Sequence, residues 1–425
     1  MRRQTGTAAV LAVVALAAAG CGGSGQGGEG EDVVLDFAWW GDETRAERYE
    51  QAVALFEEQN PGVDVRTSYA SFSDYWTARN TEAAGGALPD VIQMDVAYLA
   101  EYSLNGQVAP LDEHLGETID VSEIPESLLP SVQVDGQTTA IPTSTNTLGT
   151  LYNADTMDAL GLDIPEDGPL SWDDYDALLT DIAEAGAEEA EPVYGASNYT
   201  TVFWLFQIWL AQQGKALFDG EGGLGFDEAD LAEWWGRAEP LYESGAFVPQ
   251  QQLDQIEGAD AIGLGVTASE TSWDNFLVRF SEGAGGAEMV MVPPPADDPD
   301  ERGLFLKASL MLSMASNTDH PEEAASFIDF IVNDPEVGEI FGMSRGVPAS
   351  SAALEGWEAE GLDAQILEYE QSVQDYVSPA PPPAVGFGTM EAEFARIAEE
   401  IGHGAVTVDE GVDQWFELAE AAMAG

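Results

Sequence analysis

Strand-like and helix-like segments alternate at the start of this chain, and that order limits the folds open to it. Val33–Trp40 predicts a strand, and the apolar spacing of the following residues predicts a helix over Thr44–Gln59. A second strand is predicted at Val63–Val65, a helix around Tyr75–Ala84 and a third strand at Val91–Met94. This order favours a mostly parallel sheet with helices on both faces.

A second region with both kinds of segment follows residue 150. Ser171 is a good N-cap for a helix over Trp172–Ala185, and Thr201–Gln213 predicts a helix rich in aromatic side chains. Buried strands are predicted at Ala261–Thr267 and Met289–Val292. With 425 residues, 45% of them hydrophobic, the chain is large enough for two domains. The predicted fold class is therefore α/β.

The first 31 residues have the pattern of an export signal followed by a linker. Arg2 and Arg3 precede an uncharged apolar run of about a dozen residues, shorter than the roughly 20 needed to cross a membrane. Small residues then lead to Cys21, the single cysteine of the chain. This junction resembles a bacterial lipobox, which implies a signal peptide over residues 1–20, a lipid anchor on Cys21 and a flexible linker over residues 21–31. An ordinary signal peptide with an incidental cysteine is the alternative.

The charge of the chain is strongly acidic, with 78 Asp and Glu against 13 Lys and Arg and a net charge of −65. Such a surface repels nucleic acid and anionic lipid head groups, and it favours a neutral ligand over an anionic one. We interpret it as a solubility adaptation, with a calcium-binding surface as the alternative, although no D-x-[DN]-x-[DN]-G loop occurs. The three histidines lack metal-like partners, so no metal or cofactor is predicted.

Several short motifs occur together in an order that is typical of one family. The motifs are Leu35–Gly41, Leu55–Pro61, Leu88–Asp95, Leu151–Asn153, His320–Ala324 and Gly346–Pro348. On these motifs, and over roughly residues 33–425, the chain resembles the extracellular solute-binding proteins of ABC importers. The resemblance is to family 1, the carbohydrate-binding branch that includes maltose-binding protein.

This resemblance implies a two-lobed α/β fold, the type II periplasmic-binding-protein fold, with a ligand cleft between the lobes and three hinge crossovers near residues 142–148, 303–308 and 345–349. Lobe 1 is expected at residues 32–142 plus 303–345, and lobe 2 at residues 146–300 plus 348–425. The lobes are expected to close on a mono- or oligosaccharide and to deliver it to permease subunits in the membrane. A monomer without enzyme activity is implied, held on the outer face of the cytoplasmic membrane.

The ends of the predicted parallel strands supply the first candidate ligand contacts. Ligands of open α/β sheets lie beyond the carboxyl ends of the strands. This rule points to residues after the first and third strands: Trp40, Asp42, Glu43, Met94 and Asp95. Trp40 has a packing role as its alternative, and Asp42 has the alternative of starting the next helix.

Further candidates follow from the resemblance and from local composition. Positions matching sugar contacts of the family are Asn146, Asn198, Tyr199 and Phe387. Trp273 follows a run of small residues that would let a ligand approach, so we expect it to be a stacking surface. Arg345, at a predicted crossover, is expected either to bind ligand hydroxyls or to pair with a carboxylate.

Two other functions remain open at the level of sequence. A secreted glycoside hydrolase would also place carboxylates in an aromatic cleft, but pairs of acids carry little information among 78 of them. No GxSxG or HExxH motif occurs. A surface lipoprotein with a purely adhesive role would have no ligand-dependent closure.

Overall fold

Two main sheets organise the part of the chain that the structure describes. This computed structural model describes residues 33–165, 168–219, 223–256, 260–355, 357–378 and 384–423. The predicted signal peptide, Cys21 and the predicted linker lie outside these residues. The strands are β1 Val33–Trp40, β2 Val63–Ala70, β3 Val91–Met94, β4 Gln133–Val134, β5 Gln137–Thr138, β6 Ile141–Asn146, β7 Leu148–Asn153, β8 Ser269–Trp273, β9 Met289–Val292, β10 Lys307–Met314 and β11 Val347–Pro348.

The helices surround these sheets, and many begin at a side-chain cap. Their bounds are α1 Glu43–Gln59, α2 Phe72–Gly85, α3 Val96–Leu104, α4 Ala154–Leu160, α5 Trp172–Gly186, α6 Phe203–Gln212, α7 Glu228–Gly236, α8 Ala238–Ser244, α9 Gln250–Leu253, α10 Leu277–Gly283, α11 Pro321–Asn333, α12 Pro335–Phe341, α13 Gly361–Val373, α14 Phe387–Gly402 and α15 Val408–Met423. None of the described helices is long and apolar enough to span a bilayer.

The larger sheet has six strands in the order β11-β6-β10-β3-β1-β2. β1 pairs in parallel with β2 and β3, as the alternating sequence pattern predicts, whereas β10 runs antiparallel to β3 and β6. Apolar side chains of β1 are buried on both faces of the sheet, where Phe37 packs edge-on against Phe327 of α11 at 5.1 Å. This mixed sheet with helices on both sides is the predicted α/β fold.

The second sheet is smaller and continues directly from the first. β7 lies between β8 and β9, antiparallel to both. Only Thr147 separates β6 of the large sheet from β7 of the small one. Its backbone N–H donates to Asp274 Oδ2 at 3.0 Å, and its hydroxyl donates to the carbonyl of Phe305 at 2.8 Å. The crossover between the sheets is therefore held on both sides by hydrogen bonds.

One strand prediction was wrong. Residues 261–266 form turns, and the strand begins only at Ser269. Ala261 and Ile262 are buried, which explains their apolar character without a strand. Gly265 has a φ of +71°, a left-handed conformation that favours glycine, and Gly263 lies against the backbone of Gly283. A close approach and a tight turn therefore account for the small residues before β8.

Candidate functional site

The carboxyl ends of three strands and the start of a fourth meet at one edge of the large sheet. β1 and β3 end at Trp40 and Met94, and β6, which runs parallel to them, ends at Asn146. β10 runs the other way, so its first residue, Lys307, lies beside Asn146. Four strand termini therefore lie at the edge of the sheet where ligands of α/β proteins bind.

At the end of β1, the structure places Trp40 in the core. Its side chain is only 8% exposed, which supports the packing alternative. Asp42 caps helix α1 by accepting a hydrogen bond from the backbone of Arg45 at 2.9 Å, and Glu43 begins that helix on the surface. The indole of Trp40 is enclosed by three aromatic rings at centroid distances of 5.3–5.7 Å: Phe72, Tyr75 and Trp76.

At the end of β3, Met94 is fully buried and Asp95 caps helix α3. The Asp95 carboxylate accepts a hydrogen bond from the backbone of Ala97 at 2.9 Å. It also acts electrostatically on Glu391 of α14, whose pKa is raised chiefly by burial and further by the Asp95 charge. Asp95 therefore caps helix α3 and also lies near the start of α14.

An aromatic wall, defined as Trp204, Trp273 and Phe387, stands next to Lys307. The ring of Trp204 lies 5.8 Å from Trp273 and 4.8 Å from Phe387. Trp204 and Phe387 are buried, whereas Trp273, the last residue of β8, is half-buried. The predicted candidates Trp273 and Phe387 thus come together through Trp204, and Trp273 presents the accessible part of the wall.

Two charged groups at the wall were absent from the sequence-derived candidates. Lys307 Nζ lies 5.3 Å from the ring of Trp204 and 5.0 Å from that of Trp273. Glu391 Oε1 accepts a hydrogen bond from Trp204 Nε1 at 2.6 Å. Sequence offered one signal for the first of them, since Lys307 is one of only two lysines and lies at a predicted crossover. Glu391 gave no such signal among 78 acids.

Asn146 lies at the base of this arrangement, in register with Lys307. It is buried, and its Oδ1 atom has no hydrogen-bond partner within the part of the chain that the structure describes. A buried amide oxygen without a donor is costly, so a ligand or a water molecule has to supply the missing hydrogen bond. This geometry is consistent with the ligand contact that the resemblance implied.

Asn198 and Tyr199 belong to a different aromatic cluster. The Tyr199 hydroxyl donates to Asp176 at 2.6 Å and accepts from Arg237 Nε at 3.1 Å, and the Asn198 side chain caps the following turn. The rings around Tyr199 are those of Trp172, Tyr175, Trp234 and Phe247. The structure therefore does not bring these two residues to the aromatic wall.

Arg345 is buried at the third predicted crossover. Its guanidinium stacks on Phe341 at 3.7 Å, and burial lowers its pKa. Within the described ranges it has no carboxylate partner, and its Nη1 atom has no hydrogen bond. Of the two predicted roles, pairing with a carboxylate is therefore not seen in the described residues.

Comparisons with known proteins identify the family of this chain. The family model for bacterial extracellular solute-binding proteins matches residues 40–337. An ABC transporter periplasmic-binding protein of Escherichia coli (strain K12), YcjN, is 24% identical over 375 residues, which is 84% of this chain and 81% of that protein.

Solved structures share the fold. A family 1 extracellular solute-binding protein from Alicyclobacillus acidocaldarius has 25% identity and a TM-score of 0.71, covering 93% of this chain and all of that one. A periplasmic oligogalacturonide-binding protein from Yersinia enterocolitica, in complex with saturated digalacturonic acid, has 22% identity and a TM-score of 0.76, covering 92% and 100%. With its two-lobed α/β fold and a family match over most of its length, the chain belongs to the bacterial extracellular solute-binding proteins, the solute-binding components of ABC transporters.

Proposed function

We propose that this protein binds a carbohydrate by closing its lobes on it and delivers the carbohydrate to a membrane permease. The observation that carries the proposal is the aromatic wall beside Lys307, Glu391 and Asn146, at the edge where strands β1, β3 and β6 end. No catalytic group is needed for this role.

The wall has the chemistry that sugar recognition requires. A flat indole such as that of Trp273 packs well against the C–H face of a pyranose ring. Sugar hydroxyls both donate and accept hydrogen bonds, and the ammonium of Lys307, the carboxyl of Glu391 and the amide of Asn146 offer both kinds of partner. Aromatic surface and polar groups lie within one part of the site, as a sugar needs.

Some structural relatives support the ligand class. Proteins that share this fold bind digalacturonic acid, cycloalternan and α-D-tagatose, three different carbohydrates. Their identities to this chain are 22%, 18% and 17%, so they support a carbohydrate in general and not a particular sugar.

The proposed motion is a hinge between the predicted lobes. The start of α14 approaches α3, the helix that follows strand β3 of the large sheet. A Cβ atom added to Gly388 in α14 would lie 3.4 Å from the Cβ of Ala97 in α3. A ligand on the wall would contact both sides and stabilise this closed arrangement relative to an open one. The crossovers near residues 142–148, 303–308 and 345–349 are the proposed hinge, because β6, β10 and β11 are hydrogen-bonded neighbours there.

Membrane attachment is part of the proposal. A lipid on Cys21 and the linker over residues 21–31 would keep the monomeric receptor next to its permease while the lobes move. Two acyl chains anchor far more firmly than one, which suits a receptor that must stay at the membrane. Mass spectrometry of the mature N-terminus would detect the modification.

A calorimetric screen of the mature protein tests the ligand class. Neutral hexoses, sugar acids and oligosaccharides of two to six units are titrated alongside amino acids and betaine. The proposal expects saturable binding of at least one carbohydrate with a negative heat-capacity change, the mark of apolar surface buried on the wall. Binding of only non-carbohydrate solutes would contradict it.

A further inference from the structure

Lys307 forms no salt bridge within the described residues, in a protein that is rich in acids. Within the described residues, its ammonium has no hydrogen bond and no carboxylate partner, and its nearest recorded contacts are the indole faces of Trp273 and Trp204. The other lysine, Lys215, is paired with Asp230. Arg237 and Arg279 are likewise paired with carboxylates, at 2.6 Å each. Lys307 therefore differs from the other lysine of the chain in forming no salt bridge within the described residues.

Two acids near the aromatic wall already accept other hydrogen bonds. Glu391 accepts the Trp204 indole N–H at 2.6 Å, and burial raises its pKa while the Lys307 charge acts to lower it. Asp95 is tied to the start of α3 through the backbone of Ala97. In the part of the chain that the structure describes, neither acid forms a salt bridge with Lys307, so its three ammonium hydrogens can bind a ligand.

A polar acceptor without a partner lies beside the same lysine. Asn146 pairs with Lys307 in the sheet, is 94% buried, and has an Oδ1 atom without a donor. The two residues together present an ammonium and an amide next to the accessible indole of Trp273. They can hold a carboxylate and a neighbouring hydroxyl of one ring at the same time.

We propose that Lys307 selects sugar acids, so that the carboxylate of a uronic acid pairs with its ammonium while the pyranose ring lies on Trp273. The proposal rests on the carbohydrate-binding function above and narrows its ligand class. A half-buried ammonium gains more from a carboxylate than from a neutral hydroxyl, because a charge-assisted hydrogen bond is roughly twice as strong as a neutral one. The net charge of −65 opposes an anion only at long range, since salt screens charges beyond about 8 Å.

The experiment compares matched pairs of sugars by calorimetry. D-galacturonate is titrated against D-galactose, and D-glucuronate against D-glucose, with the wild type and with Lys307→Met, Lys307→Arg and Lys215→Met. The wild type should bind a uronate about tenfold or more tightly than its neutral partner. Lys307→Met should abolish this preference by weakening uronate binding at least about tenfold more than neutral-sugar binding, whereas Lys307→Arg should keep the preference. The control Lys215→Met should change neither affinity.

Two outcomes overturn the inference. One is a wild type that binds the neutral sugars as well as the uronates or better. The other is a Lys307→Met variant that weakens both sugars of a pair equally. Absence of binding for every sugar would instead contradict the carbohydrate-binding function itself, so the two failures are distinguishable. Raising the salt concentration should also reduce the uronate preference of the wild type and leave the neutral affinities almost unchanged.

Discussion

At the scale of single residues, two tryptophans at strand ends have different roles, since one packs in the core and the other borders the proposed site. Trp40 ends β1 inside an aromatic cluster, whereas Trp273 ends β8 half-buried on the aromatic wall. Both follow the rule that strand ends border the ligand site, but only the second has surface left for a ligand. Their substitutions should therefore fail in different ways.

Replacing Trp273 by alanine should weaken carbohydrate binding by about 1–3 kcal/mol, because the stacking surface for the ring is lost. Calorimetry with the best ligand of the screen measures the effect, and Trp273→Phe should retain part of the affinity. Tyr69→Ala is the matched control, because Tyr69 is a half-exposed aromatic residue on the edge strand β2. An affinity unchanged in Trp273→Ala would contradict the position of the site.

Replacing Trp40 by alanine should act on folding. The loss of a buried indole from a packed cluster typically costs about 3–5 kcal/mol of unfolding free energy. Urea unfolding followed by circular dichroism measures this cost, and the remaining folded protein should bind its ligand with nearly unchanged affinity. A stable Trp40→Ala protein with greatly reduced affinity would show instead that Trp40 contacts the ligand directly.

The residue types of the site were only partly predictable. Asp42 and Asp95 follow strands and precede apolar helices, so sequence alone indicates their capping role. Trp204 and Glu391 are 187 residues apart along the chain, with Lys307 between them, and the three meet only through the packing of α6, β10 and α14. No local pattern encodes a contact of that kind.

At the scale of elements, helix α14 is the part that links the two sides of the site. Its first two turns carry Phe387 and Glu391, and Gly388 lies against Ala97 of α3. The alternating pattern predicted the order of elements from β1 to β3 correctly, because clear breaks separate strand-like from helix-like segments there. The pattern wrongly predicted a strand at residues 261–267, because apolar residues that are buried within turns there resemble the apolar run of a strand.

A larger side chain at Gly388 should hinder closure. Gly388→Leu places a branched side chain where even a Cβ is already in contact with Ala97, so ligand affinity should fall by about 1–3 kcal/mol. Thermal stability should not fall in parallel, because leucine favours a helix more than glycine does. Ala392→Leu, on the exposed face of the same helix, is the control. Equal affinity in the two variants would contradict closure at this contact.

At the scale of the whole molecule, two buried carboxyl groups lie at the crossover between the sheets. The Thr145 hydroxyl donates to Glu370 Oε2 at 2.9 Å, and the Thr147 backbone donates to Asp274 Oδ2 at 3.0 Å. Burial raises the pKa of Asp274 to about 7, and burial together with the Asp274 charge raises the pKa of Glu370 well above its usual value. The folded state therefore holds protons here that the unfolded chain releases.

Stability should fall as the pH rises from about 4 to 7. Below the unfolded pKa of Asp, near 3.9, both states are protonated and the group contributes nothing. Between that value and the folded pKa of about 7, ionisation of Asp274 favours the unfolded state and lowers the free energy of unfolding. Above a pH of about 7 this reduction in the free energy of unfolding is constant. Asp274→Asn cannot ionise, so its unfolding free energy should decline less over this range, by about 1–4 kcal/mol.

Urea unfolding at several pH values measures this difference. The exposed Asp181→Asn is a matched control, since it removes one carboxylate from the surface and leaves the crossover intact. It should reproduce the wild-type slope apart from a small effect of net charge. Identical slopes for Asp274→Asn and the wild type would contradict a role for the crossover carboxyls in pH sensitivity.

The central claim is that a carbohydrate binds at the edge of the large sheet, on the aromatic wall beside Lys307. A crystal structure of the mature protein with its best-binding carbohydrate tests it most directly. The account predicts a sugar ring on the indole of Trp273, with polar groups near Lys307, Asn146 and Glu391. A sugar bound elsewhere, for instance in the surface cavity of about 910 Å³ lined by Tyr242 and His403, would contradict it.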